Sequence, residues 1–175
     1  MIKTFFSFML VALFFSGCAY TTKNMVPYDA KSIYVELFSN DTYRKSKTDK
    51  TFRKDIDNVL TDELMKKLMQ DGSLKVTSKD NADLMLEGRV VYYCKDPLRY
   101  ASITSDLVDE YRITIRAVFT LTDLRTNKVL IKDEEVYRVK DYYVSGTSMS
   151  TEDSAVKQAS EDLAKYIIIK VVEGW

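Results

Sequence analysis

Ser154 and Lys157 come nearest to a known catalytic spacing. As Ser154-Ala155-Val156-Lys157 at a helix start they match S-x-x-K, which sets a serine hydroxyl about one helical turn from a lysine amine able to take its proton. The partners that this chemistry needs are missing. Ser145-Gly146-Thr147 precedes the pair instead of following it, lacks the Lys of a K-T-G element, and no S-D-N stands anywhere in the chain. There is no histidine, which excludes Ser-His-Asp and Cys-His nucleophile systems and the common His-containing zinc sites. Five glycines stand singly, so no Gly-rich loop can cradle a phosphate. The acidic groups Asp109-Glu110, Asp133-Glu134-Glu135 and Glu152-Asp153 fit solvated turns and helix-dipole caps better than paired catalytic carboxylates or cation ligands. These residues read as those of a non-enzyme with no metal and no cofactor.

Basic side chains hold the remaining chemistry. Arg89, Arg112 and Arg116, with Arg138 as a fourth candidate, sit at strand-like spacing that turns the first three toward one face of a sheet. Guanidinium groups there can grip anionic phosphates through bidentate hydrogen bonds. Pairing across strands with Glu36 and Glu87, which the same alternation puts on that face, is the favoured alternative. Lys95 and Arg99 are expected in a loop after the second strand, where fewer carboxylates neutralise them. They are the better candidates for an anionic ligand.

Two kinds of element must position these groups. Ser32 to Ser39 alternates as a strand, with Ile33, Val35 and Leu37 on one side and Tyr34, Glu36 and Phe38 on the other. Phe52, Ile56, Val59, Leu60, Leu64 and Leu68 then stripe a helix of about five turns from Thr51 that stops at Asp71-Gly72. Leu74 to Thr77 is a short extended return. In the next strand Leu84, Leu86, Val90 and Tyr92 share a face with Gly88, opposite Met85, Glu87, Arg89, Val91 and Tyr93. Asp96 to Asp109 reads as a long loop. Tyr111, Ile113, Ile115, Ala117, Phe119 and Leu121 line one face of the clearest strand, and Asn127 suits a left-handed position in the turn that follows. Val129 to Lys140 pairs back as a hairpin, and Asp141 to Ser150 is a second loop. Ser150 with Asp153 resembles a capping box for a last helix striped by Val156, Ala159, Leu163, Tyr166, Ile167 and Val171 and stopped by Gly174. The expected fold is α+β: two amphipathic helices on one face of a mostly antiparallel four-stranded sheet, in the order strand, helix, three strands, helix.

The first twenty residues are of a different kind. Lys3 supplies a positive start, Phe5 to Phe15 an apolar run too short to span a bilayer, and Ser16-Gly17 a small-residue site before Cys18. This resembles the lipobox of bacterial lipoproteins, with Phe15 where Leu is usual, and it makes Cys18 the expected acylated first residue. Residues 1–17 are then a signal peptide, 18–31 a lipidated tether and 32–175 a single domain. Ala19 is not the Asp that retains many lipoproteins at the inner membrane, which favours the outer membrane. The mature chain keeps 25 Lys and Arg against 26 Asp and Glu, a balance that argues against nucleic acid as partner. With Cys18 acylated, Cys94 has no intramolecular disulfide partner; it reads as a small, partly buried hydrophobe or as a site of intermolecular pairing. All twelve tyrosines lie beyond residue 17, against three of the eight phenylalanines. Tyr suits docking surfaces and the rims of ordinary sheets alike.

Several stretches together resemble one family. Ala82-Asp83-Leu84-Met85-Leu86-Glu87-Gly88-Arg89-Val90, Asp96-Pro97-Leu98-Arg99-Tyr100 and Glu110-Tyr111-Arg112-Ile113-Thr114-Ile115 are similar to the LptE lipopolysaccharide-assembly lipoproteins. So are Leu124-Arg125-Thr126-Asn127-Lys128-Val129-Leu130, Asp162-Leu163-Ala164 and Val172-Glu173-Gly174-Trp175, in the same order. The lipobox followed by Tyr20, and Asp71-Gly72 before Leu74-Lys75-Val76, belong to the same pattern. The resemblance implies an outer-membrane lipoprotein on the periplasmic side, with two helices packed on a sheet. It would plug the lumen of the LptD β-barrel that inserts lipopolysaccharide into the outer leaflet, and would bind lipopolysaccharide. No family motif assigns that binding to particular residues; Lys95, Arg99, Arg89, Arg112 and Arg116 are candidates from their own chemistry. A free-standing periplasmic carrier of lipid or glycan is the alternative.

Overall fold

The computed structural model describes residues 29–42, 52–104 and 106–173. Cys18, the signal peptide, nearly all of the tether and the Gly174 stop lie outside them. The elements run β1 (Ser32–Val35), β2 (Ser39–Asn40), α1 (Ile56–Asp71), β3 (Lys75–Val76), a 3₁₀ turn (Lys79–Asn81), β4 (Leu84–Tyr100), β5 (Val108–Asp123), β6 (Lys128–Tyr143) and α2 (Glu152–Glu173). The class is α+β, as the patterning predicts, but the sheet is mixed and has six strands where four are expected. Its order is β3-β1-β4-β5-β6, with β2 paired to β4. β1 runs parallel to both β3 and β4, while β4, β5 and β6 form an antiparallel meander. The parallel pairs arise because α1 carries the chain back over the sheet between β1 and β3. The short return expected at Leu74 to Thr77 is β3.

Both helices cover one face. α2 lies over β5 and β6, and α1 beside it over the β1 side. Leu60, Leu64, Leu163 and Ile167 are fully buried against Ile33, Leu86, Ile113, Ile115 and Phe119. Each such side chain contributes about 1.5–3 kcal/mol of burial. α1 begins at Ile56, not Thr51, and ends as expected, with Gly72 left-handed at φ 70° and donating its N–H to the Leu68 carbonyl at 3.1 Å. The cap of α2 is Thr151, not Ser150: its Oγ1 accepts the Ser154 N–H at 3.2 Å. Asn127 does take the left-handed conformation, at φ 53°.

Single-residue register shifts overturn the expected faces at two points. Val35 pairs with Leu86 and Ser39 with Arg89, so the first segment advances four residues while β4 advances three. The extra residue breaks the alternation. Leu37 is therefore 59% exposed and Phe38 1% exposed, the reverse of the expected assignment. Gly88 makes this possible. A Cβ there would lie 2.4 Å from the Phe38 ring and 2.8 Å from the Val118 carbonyl oxygen. The Phe38 N–H donates to Thr61 Oγ1 at 3.1 Å, so the shift leaves no orphan. In β4, Val90 pairs with Ala117 but Tyr92 with Arg116, so Val91 is skipped. Beyond it Tyr93 turns into the core and Tyr92 out, again opposite to the sequence pattern.

The first expected loop is half strand, and the second is a loop except for its first three residues. β4 continues through Tyr100 and β5 starts at Val108, so Lys95 and Arg99 lie in β4 itself. β6 runs three residues past Lys140 to Tyr143. The long hairpins give each residue a cross-strand neighbour, and that decides how the charges pair.

Candidate functional site

The face away from the helices is where strand alternation predicts the arginines. Register places four cross-strand rows on it: Arg89–Val118–Glu135, Tyr92–Arg116–Tyr137, Cys94–Thr114–Val139 and Asp96–Arg112–Asp141. Expectation and structure agree that Arg89, Arg112 and Arg116 share this face. Arg138 does not; its guanidinium stacks on Tyr166 of α2, 4.1 Å from the ring centre.

Each of the three arginines already has a carboxylate. Arg112 makes a bidentate pair with Asp141, Nε to Oδ1 at 2.7 Å and Nη2 to Oδ2 at 2.8 Å. That pairing holds the Asp141 carboxyl below the usual carboxylate range and raises the guanidinium. Arg116 reaches Glu135 at 3.3 Å and lies 5.5 Å from the Tyr92 ring centre. Arg89 lies 3.4 Å from Asp133 and 3.9 Å from Asp41. Glu36 and Glu87, the expected partners, make no ion pair among the described residues. They line an open groove of about 500 Å³ with Arg89, Lys132, Leu37 and Val129. Sequence reasoning had the kind of interaction and missed the partners, because these come from β6 and the β2 end, not from β1 and β4.

Lys95 and Arg99 are paired as well. The Val91 shift turns Lys95 toward the helices, where Nζ meets Glu152 Oε2 at 2.5 Å and lies 4.7 Å from the Tyr111 ring centre. Glu152, at the start of α2, also accepts the Tyr93 hydroxyl at 2.8 Å, and Arg53 lies 3.7 Å away. Burial pushes the Glu152 carboxyl upward most strongly, yet the hydrogen bonds from Lys95 and Tyr93 and the nearby positive charges outweigh it and leave it lowered. Burial and the Glu152 carboxylate raise the Tyr93 phenol. Arg53 goes on to Asp55 at 2.8 Å and Asp153 at 2.9 Å. This cluster ties both helix starts to β4; no local pattern marks it, because its members lie up to about a hundred residues apart. Arg99 is the most open of the five, 53% exposed, with Asp109 at 3.1 Å and Glu110 at 3.9 Å.

The other candidates resolve simply. Ser154 Oγ accepts a hydrogen bond from Gln158 Nε2 at 3.1 Å, and Lys157 is exposed. Cys94 is a buried free thiol, raised by burial, 3.2 Å from Asp96. Among the described residues no cluster of His, Cys, Asp and Glu could hold a metal ion, and no helix is long and apolar enough to cross a membrane.

A mixed sheet with one face under two helices and the other open, carrying neutralised charge and tyrosine, is the arrangement over which the family model for LptE, lipopolysaccharide-assembly, matches residues 30–171. The chain belongs to the LptE family. The match takes in the whole sheet and nearly all of α2. Solved structures share the fold at low identity. The hypothetical protein CT253 from Chlamydia trachomatis is 12% identical with a TM-score of 0.56, covering 83% of this chain and 96% of its own. Uncharacterized lipoprotein B from Nitrosomonas europaea is 15% identical with a TM-score of 0.54, covering 85% of each. Among curated proteins none matches the chain in sequence. As an LptE-family member it is a lipopolysaccharide-assembly protein.

Proposed function

We propose that this LptE-family chain is an outer-membrane lipoprotein, held on the periplasmic side by acylated Cys18, that plugs and helps assemble the LptD β-barrel translocon without catalysing a reaction. The observation that carries this reading is the open sheet face. It is broad, uncovered by any described helix, rich in Tyr and Thr, and its arginines are locked to carboxylates within the same sheet. Such a surface keeps its polar groups satisfied against the water-lined wall of a large barrel, where an apolar face would not. Two or three acyl chains on one Cys would hold the domain at the membrane far more firmly than a single chain does.

The same reading has the domain contact lipopolysaccharide. Arg99 is the first candidate, because it is the most exposed of the five. At each of the five, Lys95, Arg89, Arg112, Arg116 and Arg99 alike, an anionic ligand must first displace a carboxylate. Co-purification from outer membranes in mild detergent tests the proposal. A large β-barrel should come with the chain; its repeated absence sinks the plug reading. Stoichiometric binding of a lipid or glycan with no barrel would favour a free-standing periplasmic carrier.

A further inference from the structure

β6 is one edge of the sheet, with β5 on its inner side and no described strand on the other. The alternation of an antiparallel ladder decides which of its backbone groups are unused. The Tyr143 carbonyl accepts the Ser150 N–H at 2.9 Å, and the Tyr137 carbonyl accepts Arg138 Nη1 at 2.7 Å, so both point away from β5. Register with β5 runs unbroken from Tyr143 back to Glu135, so the N–H and C=O groups of Glu135, Tyr137, Val139 and Asp141 all point outward. The chain itself closes both ends of this run. Tyr143 forms a parallel bridge with Met149, and at Asp133, with φ 47°, a bulge shifts the register. Between these closures the outward N–H groups have no acceptor among the described residues. An edge left in this state is a template for a further strand.

The flanking side chains select the occupant. On the open face Tyr137 is 58% exposed and Val139 40% exposed. On the helix face the half-buried Arg138 and Lys140 alternate with buried Val136 and Tyr142. Lys140 makes no ion pair among the described residues, and Arg138 meets the Tyr166 ring and the Tyr137 carbonyl but no carboxylate. Glu134, the nearest acid on that row, is held by Lys170 at 2.7 Å. A strand added here sets its own alternate side chains beside these two rows. Apolar residues cover Tyr137 and Val139, and carboxylates answer Arg138 and Lys140. A basic segment meets like charge. A second copy of β6 paired about Tyr137 would set its Arg138 opposite Val136 and its Lys140 opposite the Glu134 that Lys170 already holds. A closed barrel leaves its wall strands no free edge, so inside a lumen the added strand would come from a loop or a chain end.

We infer that the β6 edge from Glu135 to Asp141 takes up an extended partner segment of alternating acidic and apolar residues as a further strand of the sheet. The test needs no barrel, so it stands or falls apart from the plug reading. The chain from residue 18, carrying Cys18→Ala, is titrated with the capped peptide Val-Glu-Val-Glu-Val-Glu-Val and followed by calorimetry and hydrogen exchange. One peptide should bind per chain. Exchange should slow at the Glu135, Tyr137 and Val139 amides, while those of Val136 and Arg138, which face β5, stay as they were. Lys in place of Glu in the peptide should weaken binding by about fivefold or more, and Arg138→Glu with Lys140→Glu should reverse that preference. Tyr137→Pro should weaken binding by about tenfold or more, because it removes an outward donor and leaves the β5 ladder intact. The peptide N-methylated along its backbone should not bind, a control that leaves the protein unchanged. No binding at millimolar peptide, binding without slowed exchange at those three amides, or equal binding of the Lys peptide overturns the inference. So does a chain that dimerises by itself and becomes monomeric with Tyr137→Pro, which would make the occupant a second copy.

Discussion

Gly88→Ala tests the register shift on which both faces of the sheet depend. The added Cβ would lie 2.4 Å and 2.6 Å from two Phe38 ring atoms and 2.8 Å from the Val118 carbonyl oxygen. Real Cβ atoms do not approach this closely, so Phe38 must leave its position or β5 must move away from β4. Overpacking of this kind costs about 1–3 kcal/mol, and the backbone contact puts the value at the upper end. At about 3 kcal/mol a domain of this size should melt roughly 6–12 °C lower. Phe38→Leu alone removes part of a fully buried ring and should cost about 1–2 kcal/mol. Combined with Gly88→Ala it also removes the two ring contacts, so the double variant should be more stable than additivity allows by about 1 kcal/mol or more. Rescue stays partial because the carbonyl contact remains. Urea unfolding of the four proteins, from residue 18 with Cys18→Ala as common background, measures the cycle. A Gly88→Ala protein within about 0.5 kcal/mol of the parent, or strict additivity, would refute the placement of Phe38 over Gly88.

Three further outcomes follow from named contacts. Glu152→Gln strips the charge that Lys95 and Tyr93 meet and should destabilise by about 1–2 kcal/mol at neutral pH in the same urea assay. Because the folded Glu152 carboxyl is lowered, its contribution is complete above the ordinary glutamate pKa and is lost as pH falls through the lowered value. The gap between parent and variant should thus close in acid and persist at neutral pH. Asp83→Asn should cost about 1–3 kcal/mol: one carboxylate oxygen accepts the Lys31 N–H at 2.8 Å and both the N–H and hydroxyl of Ser32 at 3.0 Å. Hydrogen exchange should show that loss first at the start of β1. Cys18→Ala in cells should abolish acylation, read by mass spectrometry, and lower barrel assembly; normal assembly would mean that the domain's own surface suffices.

Much was legible where the signal is local. α1 with its Asp71-Gly72 stop, the inward stripe of α2 and the two faces of β5 all follow from side-chain period, because each is repeated over many residues of one element. The open face could be read from Arg112, Thr114 and Arg116 for the same reason. Lys95 could not be placed. One skipped residue at Val91 reverses which neighbours point inward, and strand pairing decides that skip. Phe38 and Leu37 exchange places through another such shift, admitted by the missing side chain of Gly88. Asp96 to Asp109 reads as a loop because its polar residues look unstructured alone, whereas pairing of β4 with β5 draws half of them into strand.

The sequence by itself determined the class, the two helices, the polar and apolar faces of β5 and, across residues 30–171, membership of the LptE family. Tertiary structure alone decided the parallel placement of β1, the partner of every arginine, the Glu152 cluster at the helix starts and the free edge of β6. The division has one physical reason. Periodicity is written into a single element, but register, charge pairing and a free edge depend on which strand lies alongside, and that neighbour is distant in the chain.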